Sequence, residues 1–321
     1  MNRGDIVEVD QIYEKQDIQL VCRDEECSIY RVSNDTGDGT ITAHSVFDGI
    51  TLHYDDFHIK STPSRNQLSS NLLEIHHCGE GRIEWEVDNG AYLYLSSGDL
   101  MIDNMERKNQ NCSFPLSHFH GITIVISLND ISPEIKLLFE TFRIDLFELS
   151  NRFRLEKPFI MRAESSIEHI FSELYNLPDT IRTEYFKIKI LELLLFLKTV
   201  DIDKDGQERP YFYKTQVEKI KAIMAFMTAN PDKHYTIEQL SKSYDISVSA
   251  LKSCFKGVYG SAIFTFMKNY RMDLAANLLS QTDKSITEIA GEVGYINCSK
   301  FSEAFRNAMG KTPMDYRKLK I

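Results

Sequence analysis

The chain is 321 residues long, has 37 Lys plus Arg against 47 Asp plus Glu, and is 42% hydrophobic, a globular composition too long for one usual core and expected to form two domains. No apolar run reaches membrane-spanning length, and the opening MNRGDIVEVD lacks the cationic and apolar regions of a signal peptide, so a cytosolic protein is expected. Six cysteines at 22, 27, 78, 112, 254 and 298 form no CxxC pair and no metal-ligand spacing, and read as free thiols in a reducing compartment.

From about Thr40 to Leu128, short β-branched and aromatic segments alternate with turn signals: ITAHSVF, ITLHYDDFHI, LLEIHHC, GRIEWEVD, AYLYL, DLMIDNM and GITIVISL. The breaks contain Gly79 with Gly81, Asn89 with Gly90, and Gly98 with Asp99, and Asn-Gly between alternating strands signals a hairpin. Six or more short antiparallel strands predict a barrel or jelly roll. Trp85, Tyr92 and Tyr94 alternate on strands near Arg82, which predicts an aromatic pocket for a planar or sugar-like ligand, with the packed core as the competing reading. Seven of the nine histidines lie between His44 and His120, and His118 with His120 would share a face on a strand. They join the candidate ligand residues. His76 and His77 are adjacent and point oppositely, and no acidic ligand follows the pair His118 and His120, so no metal set and no cofactor are expected.

After Leu128 the hydrophobic period changes from two to about 3.6. Ile131–Leu149 and Ser165–Tyr175 each suit a helix, and Asp179–Val200 carries Ile181, Tyr185, Ile188, Leu191, Leu194, Leu195 and Lys198 on successive turns. The cluster LELLLFL is apolar nearly all round. One side can cover the barrel and another can meet a second subunit, which makes Leu191, Leu194 and Leu195 candidate dimerisation residues against the alternative of packing within the monomer. Asp201–Pro210, DIDKDGQERP, is polar and broken by Gly and Pro, and reads as a linker.

The last third writes one pattern twice. TIEQLSKSYDISVSALKSCFKGVYG from Thr236 matches SITEIAGEVGYINCSKFSEAFRNAMG from Ser285, with Leu251, Phe255 and Gly260 each fifty residues before Phe301, Phe305 and Gly310. Thr236 with Gln239 and Ser285 with Glu288 have capping-box spacing, so helices start there. Ser247 and Asn297 can cap a second helix in each copy, after turns carrying Asp245 and Gly294. Ala250, Leu251, Cys254, Phe255 and Val258 form one apolar stripe, and Phe301, Ala304, Phe305 and Ala308 the other. The outward faces then carry Ser249, Lys252, Ser253 and Lys256, and Cys298, Ser299, Ser302, Glu303 and Arg306, the face that in a helix-turn-helix unit enters the major groove of double-stranded DNA. Charge agrees: from residue 213 onward there are 16 Lys plus Arg against 10 Asp plus Glu, net +6, whereas the preceding 212 residues hold 21 against 37, net −16.

These residues resemble the DNA-binding domain of the AraC/XylS transcription regulators over about Thr215 to Lys320. The second copy carries most of the resemblance, through Ile289, Ala290, Gly294, Tyr295, Phe301, Phe305, Gly310, Pro313, Tyr316 and Arg317. The resemblance implies a long joining helix, matching Ile263–Leu279, and two recognition helices in successive major grooves; Asn297, at the start of the second, is also expected among the DNA-facing residues. Members often carry Arg two residues after the Leu or Phe of the recognition helix; this chain has Ser253 and Glu303 there, and Glu303 can accept from a cytosine amino group. The resemblance also implies that the N-terminal barrel is a cupin-like effector domain, and LEIHHCGEGRIEWEV, YLYLSSGDLMI and FPLSHFHGITIVI resemble the siderophore-sensing branch.

The expected architecture is therefore α+β: a cupin-like β domain over 1–130 that holds a small-molecule effector, a helical dimerisation or packing segment over 131–200, a linker over 201–212, and an all-α double helix-turn-helix domain over 213–321, with units at about 236–260 and 285–310. The expected function is a sequence-specific DNA-binding regulator, not an enzyme, acting as a homodimer, with RNA polymerase a further partner. The alternative is an N-terminal domain that only dimerises or meets a partner protein. A more distant one is a DNA-repair methyl acceptor with a zinc-activated cysteine, suggested by Cys22 and Cys27, although no second close pair completes a thiolate site.

Overall fold

The computed structural model describes residues 18–24, 27–62, 71–87, 90–104, 112–154, 158–206 and 212–318, in two units that divide after Tyr211. Asn89 of the predicted hairpin turn and residues 207–211 of the predicted linker lie outside the described residues.

The first unit is an antiparallel sheet with helices on one face. Its strands are β1 (Ile18–Arg23), β2 (Cys27–Asn34), β3 (Gly37–Phe47), β4 (Ile50–His58), β5 (Leu72–Val87), β6 (Ala91–Ser96), β7 (Leu100–Asn104), β8 (Cys112–Ser113), β9 (Phe119–Ser127) and β10 (Phe159–Met161). The pairing path runs β1-β2-β3-β4-β9-β5-β6, with β7 and β8 also on β5 and β10 on β7. Among the described residues the path does not return to β1, so the expected closed barrel is corrected to an open sheet. The physical reason is β1 itself, a mostly exposed edge strand whose register shifts between Leu20 and Cys22. A second correction concerns LLEIHHC and GRIEWEVD, which are one strand. A bulge between Cys78 and Glu80 lets β5 pair with β9 and β7 in its first half and with β6 and β8 in its second. Gly81, at φ +84°, is required in this bend, because a Cβ there would lie 2.3 Å from the His118 carbonyl oxygen.

Side chains alternate across the sheet, and two cores result. Ile50 and Leu52 on β4 join Ile122, Ile124 and Ile126 on β9 beneath the helices. Phe57, Ile83, Trp85, Phe114 and Phe119 fill the other face. The predicted helix over 131–149 is two, α1 (Pro133–Thr141) and α2 (Leu146–Arg152), because Arg143 takes φ 56° and the Asp145 carboxylate caps the second by accepting from the Phe147 and Glu148 amides. They are followed by α3 (Ser165–Tyr175) and α4 (Arg182–Thr199). The predicted linker begins as a one-turn helix, α5 (Ile202–Asp205), capped by Asp201.

Helix α4 divides the candidate dimerisation residues. Leu194 is wholly buried in the unit's own core and is corrected to monomer packing, while Leu191 is half-buried and packs against that core. Leu195 is 39% exposed and continues an outward row with Ile188 and Ile181, one residue in seven.

The second unit is all helix apart from its first two residues. It comprises α6 (Lys214–Ala229), α7 (Ile237–Ser243), α8 (Val248–Tyr259), α9 (Ile263–Gln281), α10 (Ile286–Glu292), α11 (Cys298–Met309) and α12 (Pro313–Arg317). Both capping boxes are formed: Thr236 and Gln239 exchange bonds at the start of α7, Ser285 and Glu288 at the start of α10. Asp245 at φ 47° and Gly294 at φ 83° supply the left-handed turns that redirect the chain into α8 and α11.

Candidate nucleic-acid interface and ligand cavity

Helix α8 buries Leu251, Cys254, Phe255 and Val258, and α11 buries Phe301 and Phe305. Burying those stripes forces the opposite faces outward. Ser249, Lys252, Ser253 and Lys256 are exposed on α8, and Ser299, Lys300, Glu303 and Arg306 on α11, with Cys298 and Ser302 half-buried. One stripe assignment is corrected: Ala308 is exposed, because the stripe of α11 continues to Ala304 and Met309 instead. Asn297 is exposed, yet its side-chain oxygen accepts from the Ser299 and Lys300 amides at 2.9 and 3.0 Å. Its cap role leaves the amide NH2 group as the portion able to face a ligand. The sequence reading missed Ile296, which is fully exposed in the turn before α11, and Lys300 in the first turn. An apolar residue between Tyr295 and Asn297, off both helix stripes, was the available signal.

The two helix-turn-helix copies are held together by polar bonds as well as by α9. Arg271 on α9, 9% exposed, donates to the Pro231 and Lys233 carbonyls at 2.8 Å each. The adjacent His234 ring bonds the Gly294 carbonyl at 2.9 Å. The segment before the first unit is thereby tied to the turn of the second. Burial pushes the Arg271 guanidinium down from its usual value, though never near neutrality.

In the first unit the candidate ligand residues do not converge. Arg82 pairs with Ser96 and Tyr94 with Glu84, whereas Trp85 pairs with Leu93, so Trp85 lies on the opposite sheet face from Arg82, Tyr92 and Tyr94. Arg82 and Tyr94 are buried and engaged: Arg82 donates to Ser96 at 2.5 Å and Tyr94 to Glu84 at 2.6 Å. Tyr92 is half-buried. The cavity that Trp85 lines with Asp55, His76 and Thr123 measures about 20 Å³, room for about one water. The single aromatic pocket is thus corrected to core packing. His118 lies before β9 and bonds the Leu116 carbonyl, apart from His120.

A larger cavity of about 290 Å³ opens instead between β3, β4 and α3–α4, lined by Thr42, His44, Tyr54, Leu174, Tyr175, Leu177 and Arg182. Burial raises the Tyr54 hydroxyl to about 12 and pushes that of Tyr175 further up, so both phenols stay neutral. Arg182 is the permanent charge among the lining residues. Of the two cysteines considered for alkyl transfer, Cys27 has its thiol pushed up by burial and then by Asp24 and Cys22, the reverse of an activated thiolate.

A family model described as a helix-turn-helix domain matches residues 240–319. The chain is 21% identical over 305 residues, 85% of its length and 97% of the relative's, to the HTH-type transcriptional regulator AlkR of Acinetobacter baylyi. It is 21% identical over 257 residues to the HTH-type transcriptional activator RhaR of Mannheimia succiniciproducens, covering 77% of this chain and 84% of that one. A solved transcriptional regulator structure from Chromobacterium violaceum, of the AraC-type DNA-binding-domain group, is similar at 26% identity and a TM-score of 0.30, over 32% of this chain and 92% of that chain. No helix among the described residues is long and apolar enough to cross a membrane.

Proposed function

We infer that this chain, whose residues 240–319 match a helix-turn-helix domain model, is a DNA-binding transcription regulator of the AraC type that reads duplex DNA with α8 and α11 and is switched by a small molecule held in its N-terminal unit. The observation that carries the DNA reading is the repeated geometry: two capped helix pairs, each burying one stripe and leaving a polar, cationic face on the second helix. Ser249, Ser253, Ser299 and Ser302 are suited to base edges, Glu303 to a cytosine amino group, and Ile296 to a thymine methyl, while Lys252, Lys256, Lys300 and Arg306 suit phosphates. Both named relatives are transcriptional regulators, which supports a regulator over an enzyme.

The effector reading rests on the 290 Å³ cavity, near the lower end of the usual range for small-ligand sites. Neutral tyrosines beside the Arg182 guanidinium favour an anion of modest size, such as a carboxylate with an apolar body that meets Leu174 and Leu177. The outward row Ile181, Ile188 and Leu195 on α4 supports a homodimer that joins two DNA-binding units. The test is selection of random duplexes on the full chain. Two half-motifs about one helical turn, ~34 Å, apart are expected within each bound site. Failure to enrich any motif overturns the reading. For the effector, a melting screen of carboxylates should return a stabiliser that acts on the parent and not on Arg182→Ala; stabilisers that act equally on both leave the N-terminal unit without the proposed anion site.

A further inference from the structure

Where the helices stop covering the outer face of the sheet, β4 and β9 change from aliphatic to metal-ligating side chains. Along β4 the helix-side residues run Ile50, Leu52, Tyr54, Asp56, His58, and along β9 they run Ile126, Ile124, Ile122, His120. Asp56 pairs directly with His120 across the two strands, which sets both side chains on one face. Two neighbours extend the row: Glu80 on β5 is the other partner of His120, and Asp38 on β3 is the partner of His58.

The geometry points to a divalent transition-metal site, of the kind that takes zinc, formed by Asp56, His58 and His120. The His58 Nε2 and His120 Nδ1 atoms stand 3.2 and 3.4 Å from the same Asp56 oxygen, and the three ligand atoms all lie within 4.8 Å of one another. Bonds of about 2.0–2.2 Å in a tetrahedral shell put neighbouring ligand atoms roughly 3.3–3.5 Å apart, so two edges of the triangle already have the required length. The third closes by a turn of the His58 ring, which is 63% exposed and meets the His120 ring edge-on at 5.5 Å. Asp56 Oδ1 is shielded from solvent and receives no hydrogen bond, although two ring nitrogens approach it. The Asp56 side chain is half exposed as a whole, and a cation shared with both imidazoles fits at the one oxygen that solvent does not reach. Two imidazoles and one carboxylate select zinc-like ions over magnesium, which prefers oxygen ligands and retains its waters. Water, or Glu80 after a rotamer change, completes the shell. The site lies on the outer sheet face, two residues along β4 from Tyr54 of the cavity, and it does not depend on the DNA-binding reading.

The test is titration of the full chain with zinc chloride against a competing chromogenic chelator, with circular dichroism of each variant. One zinc per chain is expected, with a melting temperature that rises with zinc and not with magnesium. Asp56→Asn and His120→Ala should each weaken zinc by more than the ~10–100-fold typical of losing a mere supporting contact. His58→Ala, at an exposed position, provides the same readout if either of the others fails to fold. His118→Ala and the double variant Cys22→Ser with Cys27→Ser should keep parental affinity. Parental affinity in folded Asp56 and His58 variants, loss of zinc in the cysteine variant, or no zinc bound at all, would each overturn the site.

Discussion

Phe305→Ala tests the helix phase on which the DNA-facing residues depend. The ring is wholly buried, 5.7 Å from the Phe301 ring and 5.4 Å from that of Tyr316, within a cluster that includes Met272, Leu279, Ile289 and Val293. Removing it from such a site should cost about 3–5 kcal/mol. The unit spans Phe212–Ile321, so an unfolding entropy of about 2.1 cal/mol/K per residue turns that loss into a drop of roughly 13–22 °C. The single tryptophan, Trp85, lies in the other unit, so its fluorescence follows that unit while far-ultraviolet circular dichroism follows both. Melting of the full chain should therefore show an early dichroism transition with the Trp85 transition in place, and DNA binding lost above it. Arg306→Ala, one residue along and exposed, should leave the melt within about 0.5 kcal/mol of the parent yet weaken DNA binding. The reverse pattern, a stable Phe305 variant and an unfolded Arg306 variant, would refute the assigned phase and the groove-facing residues with it.

Three further outcomes are expected. Lys256→Ala and Arg306→Ala should each shallow the slope of log affinity against log salt by about one, measured by fluorescence anisotropy; unchanged slopes in both remove these side chains from the phosphates. His77 is buried, stacks on Phe171 at 4.0 Å and is held down to about 4, below its ordinary 6.5, by burial. The unfolded chain therefore binds the extra proton between those values, so the N-terminal unit should be fully stable above about pH 6.5 and lose roughly 3 kcal/mol as pH falls to 4; His77→Gln should flatten that loss in Trp85-detected denaturation, and an unaltered acid limb refutes it. Changing Ile181, Ile188 and Leu195 together to Ser should turn a dimer into a folded monomer in sedimentation and lower avidity for paired sites by roughly 10²–10⁴-fold, whereas Leu194→Ser should unfold the unit; a parental dimer in the triple variant places the interface elsewhere.

The second unit was legible because its physics is local. Capping boxes, left-handed turn residues and apolar residues at helical spacing all act within a few positions, so Thr236, Ser285, Asp245 and Gly294 mark the helix ends without any knowledge of distant contacts. Ala308 was misjudged because a small residue fits either face, and only the packing of Ala304 and Met309 decides between them.

The first unit was less legible because pairing there is long-range. IQLVCR and CSIYRVSN form strands although β1 is exposed along nearly its whole length and shows no alternation to read. Gly79 and Gly81 signal a break in the sequence, but a bulge uses the same residues to bend a continuous strand, and the choice depends on β9 lying alongside. The same distance in sequence hid the polar clusters. Tyr54 meets Tyr175 and Arg182 around a cavity across more than a hundred residues, and Asp56 meets His120 across sixty-four. A spacing rule that looks for an acid close after a histidine pair cannot find a carboxylate supplied by the neighbouring strand. Register does find it: once β4 is aligned with β9, every second residue of each strand is committed to the helix-covered face. The change from Ile122 to His120 on one strand then falls beside the change from Tyr54 to Asp56 on the other.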